Sequence, residues 1–141
     1  MAVTTTAHWL VDKSALRPQV AAFAEALIPR VAAGRVGICL ITELEVGYSA
    51  RSTQDFERIR QDMLAPLVPV VIPVRAEESA RQIQAELVAR GQHRAVAIPD
   101  LLVAAVALAE GLAVLHYNGD FNLIAAITGQ PTEWVVAPGT M

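Results

Sequence analysis

The residues most able to do chemistry in this chain are carboxylates that stand where short apolar runs end. Asp12 closes the run Ala7-His-Trp-Leu-Val11. Glu43 and Glu45 follow the run ending at Ile41. Asp100 stands behind Pro99 at the head of a long apolar stretch, and Asp120 comes just after the run ending at His116. Carboxylates gathered in a small apolar domain repel and raise one another's pKa unless a cation balances them, so the gathering implies a divalent metal. Hard oxygen ligands, with a single cysteine and scattered histidines, favour magnesium or manganese over zinc. A metal held this way can lower the pKa of a bound water, orient it towards a phosphodiester and stabilise the charge on the leaving oxygen. Taken singly, each acid has a plain structural use as a helix cap or a solvated charge. Their joint position is what carries the chemical reading.

That joint position depends on the elements between the acids. Residues 7–11 read as a buried strand presenting Asp12 at its C-terminal end, and Ser14 stands where a helix can begin. From 18 to 33, Val20, Phe23, Ala24, Leu27, Ile28 and Val31 recur at helical spacing, with Gly34 as the stop and Pro29 predicting a kink or break. Residues 38–41 read as a second strand, and Thr42-Glu-Leu-Glu45 as a capping box opening a helix to about Arg51. A cap signal at Ser52 opens an amphipathic helix to Leu64, with Phe56, Ile59, Met63 and Leu64 on one face. Two prolines make 68–74 an edge strand or a short extended stretch, and 77–90 is a helix ended by Gly91. Pro99 suits the first turn of a helix that is apolar almost all round over 101–108, headed by Asp100 and stopping near Gly111. A strand at 114–116, a turn at Asn118-Gly119, a helix over 121–128 and a strand at 134–136 complete the chain. Strands alternating with helices predict one α/β domain over residues 1–141, a three-layer α/β/α architecture with a central, mostly parallel sheet of four to five strands. Ligands bind such sheets beyond the carboxyl ends of the strands, which is the edge where these acids fall.

Composition narrows the function classes. The chain has 141 residues, 54% of them hydrophobic, and a net charge of −3, which excludes the basic footprint of a general nucleic-acid binder. An acidic chain can still act on RNA if bound metal neutralises the site and a local basic rim holds phosphates. Mean hydropathy is +0.41, high for a chain of this size, which points to surface buried in a dimer or against a partner. No apolar run approaches the roughly 18 residues that span a bilayer, and the opening residues do not read as a signal peptide, so a cytoplasmic address is expected. The lone Cys39 lies in an apolar run and reads as a small core residue; disulfides and cysteine-based metal sites are excluded by count. No Gly-rich loop follows the first strand, which disfavours a dinucleotide site.

Four segments in order resemble the PIN-domain family, and within it the VapC toxins, over nearly the whole chain. They are Leu10-Val-Asp-Lys-Ser14, Ile41-Thr-Glu-Leu-Glu-Val46, Ile98-Pro-Asp-Leu-Leu-Val-Ala-Ala105 and His116-Tyr-Asn-Gly-Asp-Phe121 followed by Ile124-Ala125. The resemblance implies a PIN-like fold and a metal-dependent endoribonuclease. In it Asp12 and Asp100 hold the metal with Asn118 and Asp120, Ser14 supports the site and a glutamate of the second segment completes it. Glu43 and Glu45, two apart on a helix, project about 200° from each other, so one faces the site and the other faces away. Glu45 is favoured, because the family's acid is followed four residues on by a small residue, here Ser49-Ala50; Glu43 is left as a helix-start charge or a supporting group. The fourth segment departs from the family's usual form, which has an acid where Asn118 stands, and an amide cannot supply that negative charge. Weakened activity, compensation by Asp120, an introduced substitution and a simple turn-forming role for Asn118 all remain open.

Lys13, Arg17 and Arg94, with Arg51 and His93, lie close in sequence to the acids and are candidates for phosphate contacts. His8 and His116 sit in apolar runs, so core or strand-end roles are expected for both. The resemblance further implies a structured RNA substrate such as transfer RNA, a homodimer and a cognate VapB antitoxin, with partner surfaces expected on the helices around 19–33 and 52–64. Two other classes compete. A doubly wound phosphatase also places Asp residues beyond strand ends, but Asp12-Lys-Ser14 lacks the second Asp that a haloacid-dehalogenase-type enzyme carries two residues on. A PIN domain impaired at Asn118 would survive as a binding module for RNA or antitoxin.

Overall fold

The computed structural model describes residues 6–140. Five short strands form one all-parallel sheet in the order β3-β2-β1-β4-β5: β1 Trp9–Val11, β2 Val36–Ile38, β3 Val68–Pro69, β4 Ala113–His116 and β5 Thr132–Trp134. The helices are α1 Ala21–Ala32, α2 Leu40–Tyr48, α3 Thr53–Ile59, α4 Arg75–Ala89, α5 Ile98–Glu110 and α6 Asp120–Thr128. A 3-10 turn spans Lys13–Ala15 and a π turn, Arg60–Leu64, extends α3. This is the three-layer α/β/α architecture that the alternation of strands and helices predicts.

The strands are two to four residues long, so their side chains must be apolar on both faces to be covered by helices on both sides. Alternation along β1 and β4 sends Leu10 and Val114 to one face and Val11 and Leu115 to the other. The first face packs on Ile83 and Leu87 of α4, Val103 and Val106 of α5, and Phe121 and Ile124 of α6. The second packs on Phe23 and Leu27 of α1. Cys39 is a buried core residue, as its apolar run implies, and burial pushes its thiol pKa up.

Most element ends shift by one to three residues from the sequence reading, the first strand starting at Trp9 and α2 ending at Tyr48, and sheet register accounts for the shifts that matter to the site. The second strand is Val36–Ile38 and not 38–41, because pairing Trp9 with Val36 and Leu10 with Gly37 uses the earlier residues. Gly37 is needed there, since a Cβ would stand 2.6 Å from Val70 Cγ2. The following helix therefore starts at Leu40 and Thr42 is no cap: it is fully buried, and its hydroxyl donates to Val11 O at 3.2 Å, tying α2 to the end of β1. The last strand is Thr132–Trp134, two residues early, because Val114, Leu115 and His116 pair with Thr132, Glu133 and Trp134. Pro29 does not break α1; it lies in the last full turn, and burial of Phe23 and Leu27 outweighs one missing amide bond. Ser14 opens no α-helix, only the single 3-10 turn.

The tether between α2 and β1 gives a direct test. Thr42→Val keeps the shape and removes the hydroxyl, and is expected to lower unfolding free energy by about 1 kcal/mol. Thr42→Ser should hold the bond. Equal urea midpoints for the parent and Thr42→Val would show that the hydroxyl contributes nothing.

Candidate active site

An all-parallel sheet sends the carboxyl ends of its strands to one edge, and each acid is delivered there by the element that follows a strand or heads a helix. Asp12 follows β1 directly and is fully buried. Its Oδ2 accepts from Ser14 N at 3.0 Å, which fixes the carboxylate against the 3-10 turn, while Oδ1 is buried without a hydrogen-bond partner. The Ser14 hydroxyl in turn accepts from Tyr117 N at 2.8 Å, joining the exits of β1 and β4.

On α2, Thr42 and Val46 are buried one turn apart and fix the rotation of the helix. That rotation places Glu45 with the acids, where its charge acts on Asp100, and turns Glu43 into a separate groove beside Leu40, Leu44 and Gly47. Glu45 Oε2 pairs with Lys13 Nζ at 3.3 Å, and its Oε1 is buried and unpartnered.

Asp100 lies in the first turn of α5 and is only 4% exposed. Its pKa is pushed up to about 7, first by burial, then by the charge of Asp12, a hydrogen bond with Asp120 and the charges of Asp120 and Glu45. A helix N-terminus favours an anion by about 0.3–1 kcal/mol, too little to offset those effects. Asn118 Nδ2 donates to Asp100 Oδ2 at 3.1 Å while Asn118 Oδ1 accepts from Asp120 N at 3.0 Å. One amide thus satisfies an acid on one side and caps α6 on the other. The turn beneath it is set by His116, whose Nδ1 accepts from Asn118 N at 3.1 Å. Burial pushes His116 down to about 4, so the ring is neutral, and it packs between Phe121 and Trp134.

Among the described residues no three His, Cys, Asp or Glu side chains stand ready-made as a metal cage. The donor chemistry still fits a hard divalent cation: two buried carboxylate oxygens lack partners, and the pKa of a third acid is raised by burial and by the acids around it. Carboxylates that repel one another are drawn together by the ion they share.

Sequence comparison bears on the same segments. The PIN domain profile matches residues 4–127. Ribonuclease VapC21 of Mycobacterium tuberculosis is 47% identical over 140 residues, covering 96% of this chain and 99% of the relative. The chain belongs to the PIN-domain family, in its VapC group. Ribonuclease VapC51 of the same organism is 44% identical over 136 residues, covering 94% of this chain and 96% of the relative. In fold, this PIN domain is similar to the chain in the crystal structure of DNA-bound VapBC from Salmonella typhimurium, with a TM-score of 0.75 at 22% identity, covering 92% and 99% of the two chains.

The cations around this PIN domain's acids are held in different ways. Lys13 is half exposed and paired to Glu45. The Arg17 guanidinium lies 5.4 Å from the Phe23 ring and 5.5 Å from the Tyr117 ring, close to the turn carrying Asn118. Arg94 and His93 are exposed in the loop leading into α5, and Arg51 is exposed just beyond the C-terminal end of α2. His8 is exposed at the strand end and edges onto Trp9. One positioning residue went unread in the sequence, Thr42, which was given a cap's role; His116 has the core and strand-end place expected of it. The signal for Thr42 was its spacing three before Glu45, which puts the two on one side of α2.

Asp100 and His116 give opposite pH slopes. Between about pH 4 and 7 the folded chain keeps a proton on Asp100 that the unfolded chain has released, so stability falls as pH rises. Between about pH 4 and 6.5 the unfolded chain holds a proton that buried His116 lacks, so stability rises with pH. Asp100→Asn removes the first slope. In EDTA this variant is expected to be more stable than the parent by roughly 1–3 kcal/mol at pH 8, with the gap closing towards pH 4. Melts showing a gap independent of pH would mean that Asp100 does not titrate.

Proposed function

We propose that this chain is a metal-dependent endoribonuclease, the toxin of a type II toxin–antitoxin pair, cutting structured RNA such as transfer RNA. The observation that carries the proposal is the convergence of Asp12, Glu45, Asp100 and Asp120 on one sheet edge with two oxygens unpartnered and Asp100 held near neutral. The relatives bearing the name ribonuclease, at 44–47% identity over nearly the full chain, support the same reaction class.

Asp12, Asp100 and Asp120, with Asn118 beside them, would hold magnesium or manganese, and Glu45 would complete the acidic set. When bound, the cation supplies Lewis acidity, making a water more acidic and offsetting charge on the phosphate. The chain's own groups hold the geometry. Ser14 N fixes one Asp12 oxygen and leaves the other free. The Ser14–Tyr117 bond keeps the β1 and β4 exits at a set separation. Asp100, its pKa pushed up to about 7, is partly protonated at neutral pH, and positive charge beside it favours the ionised form. Lys13 reduces the repulsion between Glu45 and an approaching phosphate.

The proposal includes a VapB-type antitoxin and a homodimer. A groove of about 420 Å³ between α1 and the π turn is lined by Leu27, Ile28, Val31, Met63 and Leu67, and Ile28 is 64% exposed. It lies on the two helices where the sequence reading expects partners. The solved Salmonella relative is a VapBC complex, which supports this assignment.

Discrete fragments are expected from transfer RNA in manganese or magnesium, and none in EDTA. Asp100→Asn and Glu45→Gln should each lower the rate by roughly two orders of magnitude, while Glu43→Gln should stay within about threefold of the parent. Loss on Glu43→Gln with Glu45→Gln silent would reverse the assignment. Asn118→Asp keeps the oxygen that caps Asp120 and exchanges the donor facing Asp100 for a further carboxylate. It is expected to raise manganese affinity about tenfold and lower stability in EDTA. RNA left intact by the parent but cut by Asn118→Asp would favour the alternative, a catalytically impaired domain that binds RNA or antitoxin. RNA left intact by both would end the nuclease reading.

A further inference from the structure

A polar cleft of about 560 Å³ runs away from the acids between α2 and α3. Glu45 and Lys13 form its inner end, so it opens directly from the acidic edge, and Arg51 and Arg58 line it further out. Tyr48 also lines it and is 92% exposed. Glu45 and Tyr48 are three residues apart, so they share a helix face with a rise of about 4.5 Å between them. The volume falls in the range of roughly 300–1,000 Å³ typical of sites for small organic groups.

Asp55 accepts from Arg51 N at 2.9 Å and from Arg58 Nη2 at 2.6 Å, which anchors the start of α3 and holds Arg58. With Lys13 set against Glu45, the lining carries three cations and two anions, an excess of positive charge beside a centre that is otherwise acidic. Tyr48 buries almost nothing, so the fold gains little from an aromatic ring there. Tyr48 stands where this cleft meets the apolar groove of Leu40, Leu44 and Phe56, and an exposed ring on the wall of a cleft that also carries Lys13, Arg51 and Arg58 is the chemistry that receives a nucleobase and its flanking phosphates.

We propose that this cleft is a nucleobase subsite, in which Tyr48 stacks a base of single-stranded RNA next to the bond being cut and Arg51 contacts a neighbouring phosphate. The inference rests on the endoribonuclease reading and adds to it where the strand leaves the acids. Stacking is sequence-tolerant, so the subsite sets affinity and register on an unpaired loop and not base identity.

The test uses the full chain in manganese with a labelled RNA carrying an unpaired loop. Tyr48→Ala is expected to raise KM roughly tenfold with kcat within about twofold, and Tyr48→Trp to restore the parent KM. Thermal midpoints should match throughout, since the side chain is exposed. Arg51→Ala should lower the slope of log affinity against log salt by about 0.7, the value for one single-strand phosphate. An unchanged KM in Tyr48→Ala, or failure of Trp to restore it, overturns the subsite. An unchanged KM with loss of binding to a protein partner would give Tyr48 to that partner instead, which also overturns it. If the parent neither cuts nor binds the RNA, the ribonuclease reading falls and the subsite with it; if the parent cuts normally and Tyr48→Ala is silent, the subsite alone falls.

Discussion

A carboxylate as buried as Asp100, within reach of Asp12, Glu45 and Asp120, holds its proton up to about pH 7, and positive charge brought to it favours the ionised form. That conflict organises the molecule. Charge repulsion and desolvation act to push these groups apart or neutralise them; the parallel sheet prevents the first by fixing the backbone from which each projects, and the raised pKa of Asp100 is the second. The energy comes from the apolar packing on the two faces, where Leu10 and Val114 meet α4, α5 and α6, and Val11 and Leu115 meet α1. The stability of the scaffold is what lets a few side chains sit in an arrangement that is unfavourable for them.

Short polar bonds set the details of that arrangement. Ser14 joins two strand exits, Thr42 ties a helix to the central strand, and His116 shapes the turn under Asn118. None of these groups is ionised, which is consistent with their place: a charged tether would add to the local field, whereas a hydroxyl or neutral imidazole fixes geometry without altering it. Asn118 is the intermediate case, offering a donor to Asp100 where an acid would offer repulsion.

Much of this was legible in the sequence because the pattern of apolar runs and breakers is strong. The alternation of runs with Gly34, Gly91 and Gly111 marks the helices, and the acids at run ends mark the sheet edge. The angular argument says that only one of Glu43 and Glu45 faces the acids and the resemblance chooses Glu45; the structure has Glu45 acting on Asp100 and Glu43 in another groove. What could not be read was register. Residues 36–41 are apolar throughout, so nothing local says where strand ends and helix begins; only pairing with β1 decides it, and Thr42 changes from cap to tether as a result. The two-residue error in β5 has the same origin, since pairing with β4 is invisible to a local pattern. Tyr48 escaped because an exposed ring has no periodic signature.

The pairing of β1 with β4 joins Trp9 to Ala113, about a hundred residues apart in the chain, and β1 has no hairpin partner to hold it meanwhile. During synthesis at roughly 5–20 residues per second, the central strand can pair with β2 early but waits several seconds for β4. Asp12 is therefore made first and completed last: its hydrogen-bonded surroundings need Tyr117, and its acidic neighbours need α5 and α6. A nascent chain has no assembled acid cluster until nearly all of it has left the ribosome. Order of translation thus sets when the acidic edge can first assemble.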